Sequence, residues 1–352
     1  MSARPTLATV AEAAGVSTAT VDRVPNSRLP VREATALRVI EAAERVGYHG
    51  VSLMRTRLME RSERQIRTLG FLLLRRHEAF YQSFGRHLSI AASAHSSGRC
   101  MAVIEQMDDL SPADVADRLR ELGREVDAIG VVATDHPQVT AAIDALHAEG
   151  RPTFALLSDL SAPLRAGYVG VDPRKRGRTA AWAISRLSKS PGPVGVLVGS
   201  HRYLGHEACE MSFRAYLREH APELRVLETQ VNLEEPQFAH EVTLDLLRRC
   251  PDLAGLYDAA GGGMAGTLRA LRAERPIGGA SGHVVTVANE LTPDHRAALA
   301  DGVIDLVLGT PQAPIARAVV QAMLDALERP RDERPRGAQM TLPMEVWTAE
   351  NM

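Results

Sequence analysis

The sequence predicts an all-α helix-turn-helix head followed by an α/β body of two doubly wound, parallel-sheet lobes. Short helical patterns joined by tight turns fill the first 48 residues, and from residue 66 onward short apolar runs alternate with helical stretches. Such an alternation of strands and helices implies parallel strands covered by helices on both faces. About nine apolar runs are more than one small domain needs, so the body is expected to form two lobes.

The composition is that of a globular protein. Of the 352 residues, 45% are hydrophobic and 24% are charged, which is typical of folded domains. No run approaches the roughly 20 apolar residues of a membrane span, and the N-terminus lacks an apolar secretory segment. The cysteines Cys100, Cys209 and Cys250 are odd in number and far apart, which argues against a disulfide framework. We expect a cytoplasmic protein that does not contact a membrane.

Charge is distributed unevenly along the chain. The first 67 residues contain 11 Arg and 7 Asp or Glu, whereas the whole chain has a net charge of −2. The head is therefore basic and the body acidic, which indicates that only the head meets a polyanion.

Three short helices account for the head. Thr6 and Ser17 are suited to cap the first two, and Pro25 is expected to end the second. Three such helices form the smallest unit that buries the apolar faces of a helix-turn-helix, whose second helix is offered to the major groove of DNA. The predicted helices are Leu7–Ala14, 18–24 and 32–46.

Residues 9–26, which read Thr-Val-Ala-Glu-Ala-Ala-Gly-Val-Ser-Thr-Ala-Thr-Val-Asp-Arg-Val-Pro-Asn, resemble the LacI (lactose-repressor) family of transcriptional regulators, and the likeness continues through residues 38–48. The match is long and ungapped, and it includes exposed polar positions. It implies that Thr18, Ala19 and Arg23 face base edges and that a second set contacts phosphates. Arg23 has a physical reason to matter, because a guanidinium bonds two acceptors of guanine at once. The residues of the head predicted to contact DNA are Thr6, Ser17, Thr18, Ala19, Thr20, Arg23 and Asn26.

Two positions depart from the family pattern. Asp22 stands where the family usually has Ser and places a negative charge near phosphates, and Pro25 stands where an apolar residue usually closes the recognition helix. Asp22 either weakens DNA binding or orients Arg23 or a neighbouring arginine, and the sequence leaves both readings open.

Residues 49–62 are expected to form a hinge between the head and the body. In the family this segment becomes a short helix on the operator and inserts a leucine into the minor groove. Here Gly50 replaces the usual proline, and Leu58 or Leu53 would supply the wedge. The alternative is a flexible basic linker. Under either reading the residues expected to contact phosphates are Arg55, Arg57, Arg61 and Arg64.

The body is predicted to bind a ligand where its strands end. Ligands of doubly wound sheets bind beyond the carboxyl ends of the strands, so the polar and aromatic residues that follow the apolar runs are candidates. The predicted strands are 68–74, 100–105, 128–133, 153–157, 168–171, 194–198, 255–257, 284–287 and 305–308. The candidates that follow them are Arg75, Phe80, Tyr81, Asp135, Ser158, Asp159, Arg202, Asp258, Asn289 and Glu290.

The body also carries a resemblance. The strings Tyr168-Val-Gly-Val-Asp172, Gly177-Arg-Thr-Ala-Ala181 and Asn289-Glu-Leu-Thr292 are similar to those of the type I sugar-binding fold that LacI-type regulators share with ribose-type periplasmic binding proteins. The likeness implies a carbohydrate or polyol effector. By position, Asp159, Asp258 and Glu290 would accept hydrogen bonds from sugar hydroxyls, and Phe80 or Tyr81 would cover the apolar face of a pyranose.

The body departs from the pattern too. Cys209 stands at the position of a ligand arginine, and Gly309 stands where a glutamine or aspartate commonly reaches the ligand. Either the effector differs from a simple hexose, or Arg202 substitutes for the missing arginine. For each candidate residue, a solvated loop or cap is the alternative.

Enzyme chemistry is not expected. The string Gly261-Gly-Gly-Met-Ala-Gly266 fits G-x-G-x-x-G, but it lies late in the chain and lacks an acidic residue about 20 positions on. We interpret it as a loop that borders the effector cleft. A metal cluster of His201, His206 and Cys209 lacks a fourth ligand, and there is no G-x-S-x-G elbow or P-loop. We therefore predict no catalytic residue, cofactor or metal.

Together these observations predict a head (1–48), a hinge (49–62) and a sensor body (63–345) of one regulator. The family resemblance implies a homodimeric repressor on a near-palindromic operator, controlled by a small sugar-like effector. The alternative from another class is a solute-binding sensor with weak or vestigial DNA binding.

Overall fold

The computed structural model describes residues 5–26, 31, 33–64, 66–95, 100–108, 110–275, 282–334 and 336–352. The described residues divide into two compact units, one up to Arg67 and one from Thr68 to Met352. Among the helices of these residues, none is long and apolar enough to cross a membrane.

The first unit contains four helices: α1 Leu7–Ala14, α2 Thr18–Asn26, α3 Glu33–Arg45 and α4 Val51–Arg64. The hydroxyl of Thr6 caps α1 by accepting from the backbone N–H of Thr9, and Gly15 ends the helix with a left-handed φ of 65°. Ser17 caps α2, because its hydroxyl accepts from the N–H of Thr20 at 3.2 Å. These caps are the ones that the sequence predicts.

The prediction that Pro25 ends the second helix was wrong, because α2 continues through Pro25 to Asn26. A proline in the last turn removes only one helical hydrogen bond. The same turn buries Val21 and Val24 in the small core of the head, and this burial holds the turn in helical form.

The segment predicted to be the hinge, residues 49–62, is helical from Val51 onward. Of the two readings that the sequence leaves open, helix and flexible linker, α4 corresponds to the helix. Met54 is 1% exposed and packs in the core of the first unit, whereas Leu53 beside it is 54% exposed. Burial of Met54 ties the beginning of α4 to the three preceding helices.

The second unit consists of two lobes, each built on its own sheet. Its strands are β1 Arg67–Leu74, β2 Cys100–Met107, β3 Ala128–Val131, β4 Thr153–Leu156, β5 Gly167–Val171, β6 Gly192–Val198, β7 Leu224–Val226, β8 Gln230–Val231, β9 Gly255–Asp258, β10 Val285–Asn289, β11 Leu306–Gly309, β12 Ala338–Leu342 and β13 Glu345–Trp347. Its helices are α5 Ala79–Ser93, α6 Pro112–Gly123, α7 Pro137–Ala148, α8 Pro173–Leu187, α9 Leu204–His220, α10 Pro236–Arg249, α11 Met264–Glu274, α12 Pro293–Ala300 and α13 Gln312–Glu328.

The first lobe has the strand order β12-β5-β4-β3-β1-β2 and the second has β13-β11-β10-β9-β6-β7, with β8 also paired to β6. The chain passes from the first sheet to the second after β5, returns after β11 and crosses again between β12 and β13. Strand β13 runs antiparallel to β11, so the second sheet closes with a strand that arrives from the first lobe. The predicted architecture, a helical head and two α/β lobes, is confirmed.

Each predicted strand corresponds to an observed one, but β7, β8, β12 and β13 are additional. Strands β7 and β8 have three and two residues, which is too short for an apolar run. Strand β12 alternates between half-buried and exposed positions, because it lies at the edge of its sheet.

Candidate functional site

The second helix of the head offers a polar face. Val21 and Val24 are buried, whereas Thr18, Ala19 and Arg23 on the same helix are exposed. Because the buried side is fixed by the head core, the exposed side is free for an external partner. Of the other head residues predicted to contact DNA, Thr6 and Ser17 are exposed and Thr20 is half-buried; Asp22, which departs from the family pattern, is exposed as well.

The residues of α4 that the sequence predicts to contact DNA differ in their surroundings. Arg55 pairs with Glu44 of α3 at 2.7 Å, and both side chains are largely exposed. Arg57 is exposed. The side chains of Asn26, Leu58, Arg61 and Arg64 lie outside the described residues, so the predictions on them stay predictions.

A cavity lies between the two lobes at the carboxyl ends of the strands. Together with the open solvent at its mouth, it encloses about 720 Å³. Residues that directly follow β3, β4, β9 and β10 contribute to its wall, as expected for doubly wound sheets. The side chains and backbone that line it belong to Glu78, Phe80, Tyr81, Val132, Leu157, Ser158, Val171, Pro173, Arg176, Tyr203, Gly205, His206, Cys209, Glu234, Ala259, Gly261, Gly262, Asn289 and Glu290.

Contacts across the cavity join the lobes. Arg75 of the first lobe donates to Glu235 of the second at 2.6 Å and to the carbonyl of Leu233 at 2.9 Å. The hydroxyl of Ser158 accepts from the N–H of Gly205 at 3.0 Å. A third contact is made by backbone alone, with the N–H of Asp135 donating to the carbonyl of Arg202 at 2.8 Å. These contacts hold the lobes closed over the cavity.

One wall carries a buried ion pair. Arg176, in the first turn of α8, donates to Glu290 at 3.1 Å and to the hydroxyl of Thr310 at 2.8 Å. Glu290 also accepts from the N–H and the hydroxyl of Thr310 at 3.1 and 2.6 Å. The two charged side chains are 12% and 11% exposed, so the charges neutralise each other inside the cavity wall.

Two further carboxylates line the cavity. Glu78, which begins α5, and Glu234, which precedes α10, both line the cavity. Burial, reinforced by the negative charge of Glu234, raises the pKa of Glu78 to about 7 although Arg75 opposes the shift. Burial lowers the pKa of His206, which lies beside Glu234. The imidazole is therefore neutral at pH 7 and does not balance the carboxylates.

Comparison with known proteins identifies both units. Residues 6–50 match the model of bacterial regulatory proteins of the lacI family, and residues 99–330 match that of the periplasmic binding protein domain. The chain is a lacI-family regulator with a periplasmic-binding-protein body. This family is not enzymatic, and its head binds DNA. No curated protein matches the chain.

Solved structures show the same fold in the body of the regulator. A solute-binding protein of Burkholderia graminis in complex with D-arabinose has a TM-score of 0.73 at 18% identity and covers 82% of this chain and 98% of its own. One of Agrobacterium vitis bound with α-D-tagatopyranose has a TM-score of 0.70 at 21% identity, with 81% and 95% covered. One of Actinobacillus succinogenes with bound D-allose also has a TM-score of 0.70, at 16% identity, with 81% and 98% covered.

Six residues of the regulator that the sequence singles out as effector contacts lie in the cavity wall: Phe80, Tyr81, Ser158, Cys209, Asn289 and Glu290. Their side chains are not all free. The thiol of Cys209 donates to the carbonyl of Pro173 at 3.3 Å. The side chain of Asn289 accepts a hydrogen bond from the hydroxyl of Tyr257 and donates one to the carbonyl of Ala259. These two residues therefore shape the wall of the cavity, and their polar atoms already have partners.

The other five predicted effector residues lie outside the cavity wall, and four of them have side-chain partners elsewhere. Arg75 joins the lobes, and the side chain of Arg202 is exposed. Three carboxylates are occupied by local structure. Asp135 accepts from Ser161, Asp159 accepts two hydrogen bonds from Arg165, and Asp258 accepts from the N–H of Ala260 and the hydroxyl of Thr267.

Sequence reasoning missed Glu78, Arg176, Tyr203, His206 and Glu234, which line the cavity of the regulator. Four of them lie in the first turn of a helix or just before it, a few residues beyond the strand ends that the rule selects. Glu234 follows β8, a strand too short to be predicted. A search that extended to the first helical turn after each strand would have found Arg176 and His206. Glu78 lies between Arg75 and Phe80, which are both predicted from the sequence, so its position in the chain was already within the range searched.

The glycine-rich loop borders the cavity, as the sequence predicts. Gly261 and Gly262 line it, and the loop leads into α11. A Cβ at Gly266 would lie 1.8 Å from the carbonyl oxygen of Pro236, so this glycine allows α10 and α11 to pack closely. Close packing of α10 against α11 therefore accounts for the last glycine of the G-x-G-x-x-G string.

The metal ligands considered in the sequence do not converge. His201 bonds Glu210 at 3.0 Å, whereas Cys209 is directed at Pro173. Within the described part of the chain, no group of three or more His, Cys, Asp or Glu could hold a metal ion.

Proposed function

We propose that the regulator is a repressor whose affinity for operator DNA is controlled by a small hydroxylated effector bound between the lobes. The observation that carries the proposal is the set of cross-lobe contacts around the cavity, Arg75 with Glu235 and Ser158 with Gly205. These contacts exist only when the lobes are closed, so a ligand that completes the cavity wall favours one lobe arrangement over another.

The mechanism is thermodynamic linkage. An effector that binds one arrangement of the lobes better shifts the population of that arrangement. If only one arrangement of the lobes allows the heads to bind the operator, the free energy by which the effector favours one arrangement also changes the affinity for DNA. A coupling of about 1–3 kcal/mol changes operator affinity roughly 5- to 150-fold.

A carbohydrate or polyol is the effector class that the cavity favours. Phe80, Tyr81 and Tyr203 supply aromatic surface, which suits the apolar face of a sugar ring. Glu78 and Glu234 supply acceptors for hydroxyl hydrogens. The solved neighbours named above include complexes with arabinose, tagatose and allose, which supports the same class for this chain.

Each head recognises one half of the operator, and the two heads of a homodimer recognise the whole of it. A recognition helix such as α2 contacts only a few base pairs, so two heads are needed for a long site, and a homodimer then requires a near-palindromic operator. The helix α4 would lie at the centre of that operator, with its arginines on phosphates.

The test is a fluorescence-anisotropy titration of the full-length protein on the DNA upstream of its own gene, against a scrambled duplex, at two salt concentrations. We expect saturable binding to the upstream DNA about 10³-fold tighter than to the scrambled duplex, and release by a sugar from an effector screen. Weak, steeply salt-dependent binding to both duplexes would contradict the proposal and favour a solute sensor with a vestigial head.

A further inference from the structure

The cavity carries a carboxylate that the protein itself does not satisfy. The side chain of Glu234 is 9% exposed, and its carboxylate accepts no hydrogen bond from any residue that the structure describes. The nearest nitrogen that could carry a charge is Nε2 of His206, at 3.9 Å. The oxygens of Glu234 are not among the fully enclosed, unpartnered side-chain atoms, and the residue lines the cavity. A hydrogen-bond donor that enters the cavity can therefore reach a largely buried carboxylate that the described residues leave without one.

The neighbouring cations are directed elsewhere. Arg75 gives its two terminal nitrogens to Glu235 and to the carbonyl of Leu233. Arg176 is engaged with Glu290. Of these two arginines, only Arg75 lies within ion-pair distance of a cavity glutamate other than Glu290, with its Nε 3.5 Å from Glu78. Because burial raises the pKa of Glu78 to about 7, that carboxyl is only partly ionised near neutral pH, and among the described residues Glu234 has no arginine within the same distance.

The chain is shaped to hold Glu234 in this position. Leu233 and Glu234 both have a positive φ, 53° and 57°, which is strained for residues with a side chain. A Cβ at Gly262 would lie 2.8 Å from Cβ of Glu234 and 3.1 Å from Oε1 of Glu78, and one at Gly199 would lie 2.5 Å from Cγ of Glu234. Two glycines thus leave room for the acidic side chains at the cavity.

Aromatic surface surrounds the same space. Phe80, Tyr81 and Tyr203 line the cavity together with the two glutamates. Because the faces of aromatic rings attract cations, a ring that presents its face to the cavity would add to the attraction of the carboxylates for a positive ligand group. The ion pair of Arg176 and Glu290 also lines the cavity and offers polar atoms without net charge.

We propose that the effector carries a protonated amine on a hydroxylated carbon frame, as an amino sugar does, and that Glu234 together with Glu78 binds the ammonium group. This inference rests on the proposed function, because it concerns the same cavity. A neutral sugar would leave Glu234 buried without a partner of opposite charge, whereas an ammonium group supplies both the charge and the hydrogen-bond donors.

The test is isothermal titration calorimetry on the full-length protein with D-glucosamine, D-galactosamine and D-mannosamine. Each amine is compared with its N-acetyl derivative and with the parent hexose, which keep the frame but lack the charge. The variant Glu234→Gln removes the charge at nearly constant shape. Glu228→Gln, an exposed glutamate of the same lobe, is the matched control, and thermal unfolding confirms that both variants fold.

We expect at least one amine to bind about tenfold or more tightly than both of its neutral counterparts, a difference of about 1.4 kcal/mol. Glu234→Gln is expected to remove that preference, and Glu228→Gln to retain it. The proposal is overturned if a neutral sugar binds as tightly as every amine, if Glu234→Gln retains the preference, or if none of the three amines binds at millimolar concentration.

The outcome is separable from that of the proposed function. Upstream DNA that is bound specifically and released by a neutral sugar, with no binding of amines, would contradict the amine alone. Binding of an amine by a protein that does not select its upstream DNA would contradict the regulator alone.

Discussion

Arg75 of the first lobe and Glu235 of the second lie 2.6 Å apart, nitrogen to oxygen, and form an ion pair between the lobes. The arginine side chain is 11% exposed and the glutamate side chain is 47% exposed. The second terminal nitrogen of the same guanidinium donates to the carbonyl of Leu233. One side chain thus joins two lobes that share no sheet.

We predict that Arg75→Met opens the lobes and weakens effector binding, because both cross-lobe contacts of the guanidinium are lost. Since a charged hydrogen bond contributes about 1.5–3 kcal/mol and Glu235 is half-exposed, the expected loss of affinity is about tenfold. Small-angle X-ray scattering should show a larger radius of gyration. Arg178→Met is the matched control, because Arg178 pairs with Glu219 inside the second lobe. Identical scattering from the two variants would contradict a role of Arg75 in closure.

The buried pair of Arg176 and Glu290 gives a second prediction. Arg176→Met leaves Glu290 buried without its cation and is expected to lower the free energy of unfolding by about 3–5 kcal/mol. The double variant Arg176→Met, Glu290→Gln should lose clearly less than the sum of the two single variants, because it leaves no uncompensated charge. Urea unfolding of the four proteins measures the coupling. Additive losses would mean that the two side chains stabilise the body independently.

Asp258 predicts a dependence of stability on pH. Burial raises its pKa to about 8, well above the value of about 3.9 in an unfolded chain. Between these values the folded protein holds a proton that the unfolded chain has released, so the free energy of unfolding falls as the pH rises from about 4 to about 8. In Asp258→Asn this contribution is absent. The variant should therefore lose less stability than the native protein between pH 5 and pH 8, as measured by urea unfolding.

The comparison at each pH isolates Asp258 from other titrating groups such as Glu78, which both proteins retain. Asparagine keeps the acceptor for the N–H of Ala260 and gives the hydroxyl of Thr267 a donor. Parallel pH profiles for the two proteins would show that Asp258 is not protonated in the folded state near neutral pH.

The exposed face of α2 predicts which arginine reads DNA. Arg23→Ala should cost about 1–3 kcal/mol of binding to upstream DNA and relax the preference for that sequence. Arg38→Ala, an exposed arginine of α3, should leave the preference unchanged. Fluorescence anisotropy with specific and scrambled duplexes measures both. Equal losses in the two variants would indicate contact through charge alone.

Much of the fold was predictable because it depends on local pattern. The caps of α1 and α2 follow from single residues, Thr6 and Ser17, whose hydroxyls reach the backbone three residues on. The strands of both sheets are runs of buried apolar residues, which periodicity detects. Edge strands β12 and β13 escape such a search, because their burial is partial and their pairing partners are remote in the chain.

The effector cavity was predicted only in part. Glu290 follows β10 directly, Ser158 lies two residues beyond β4, and Phe80 lies in the first turn of α5; all three lie in the wall. Asp159 and Asp258 also follow strands but are turned into local structure by Arg165 and by Thr267. The sequence places a side chain at a strand end; neighbours in space decide whether it faces the ligand.

The sequence by itself determined the classes of structure in this protein: a helix-turn-helix with a polar recognition face, and two parallel sheets with a binding edge. Those features depend on side-chain periodicity, caps and apolar runs within short segments. Only the tertiary structure decided the charge of the cavity. Arg75, Arg176 and Glu234 come from separate segments, and which carboxylate is neutralised depends on distances that folding alone sets.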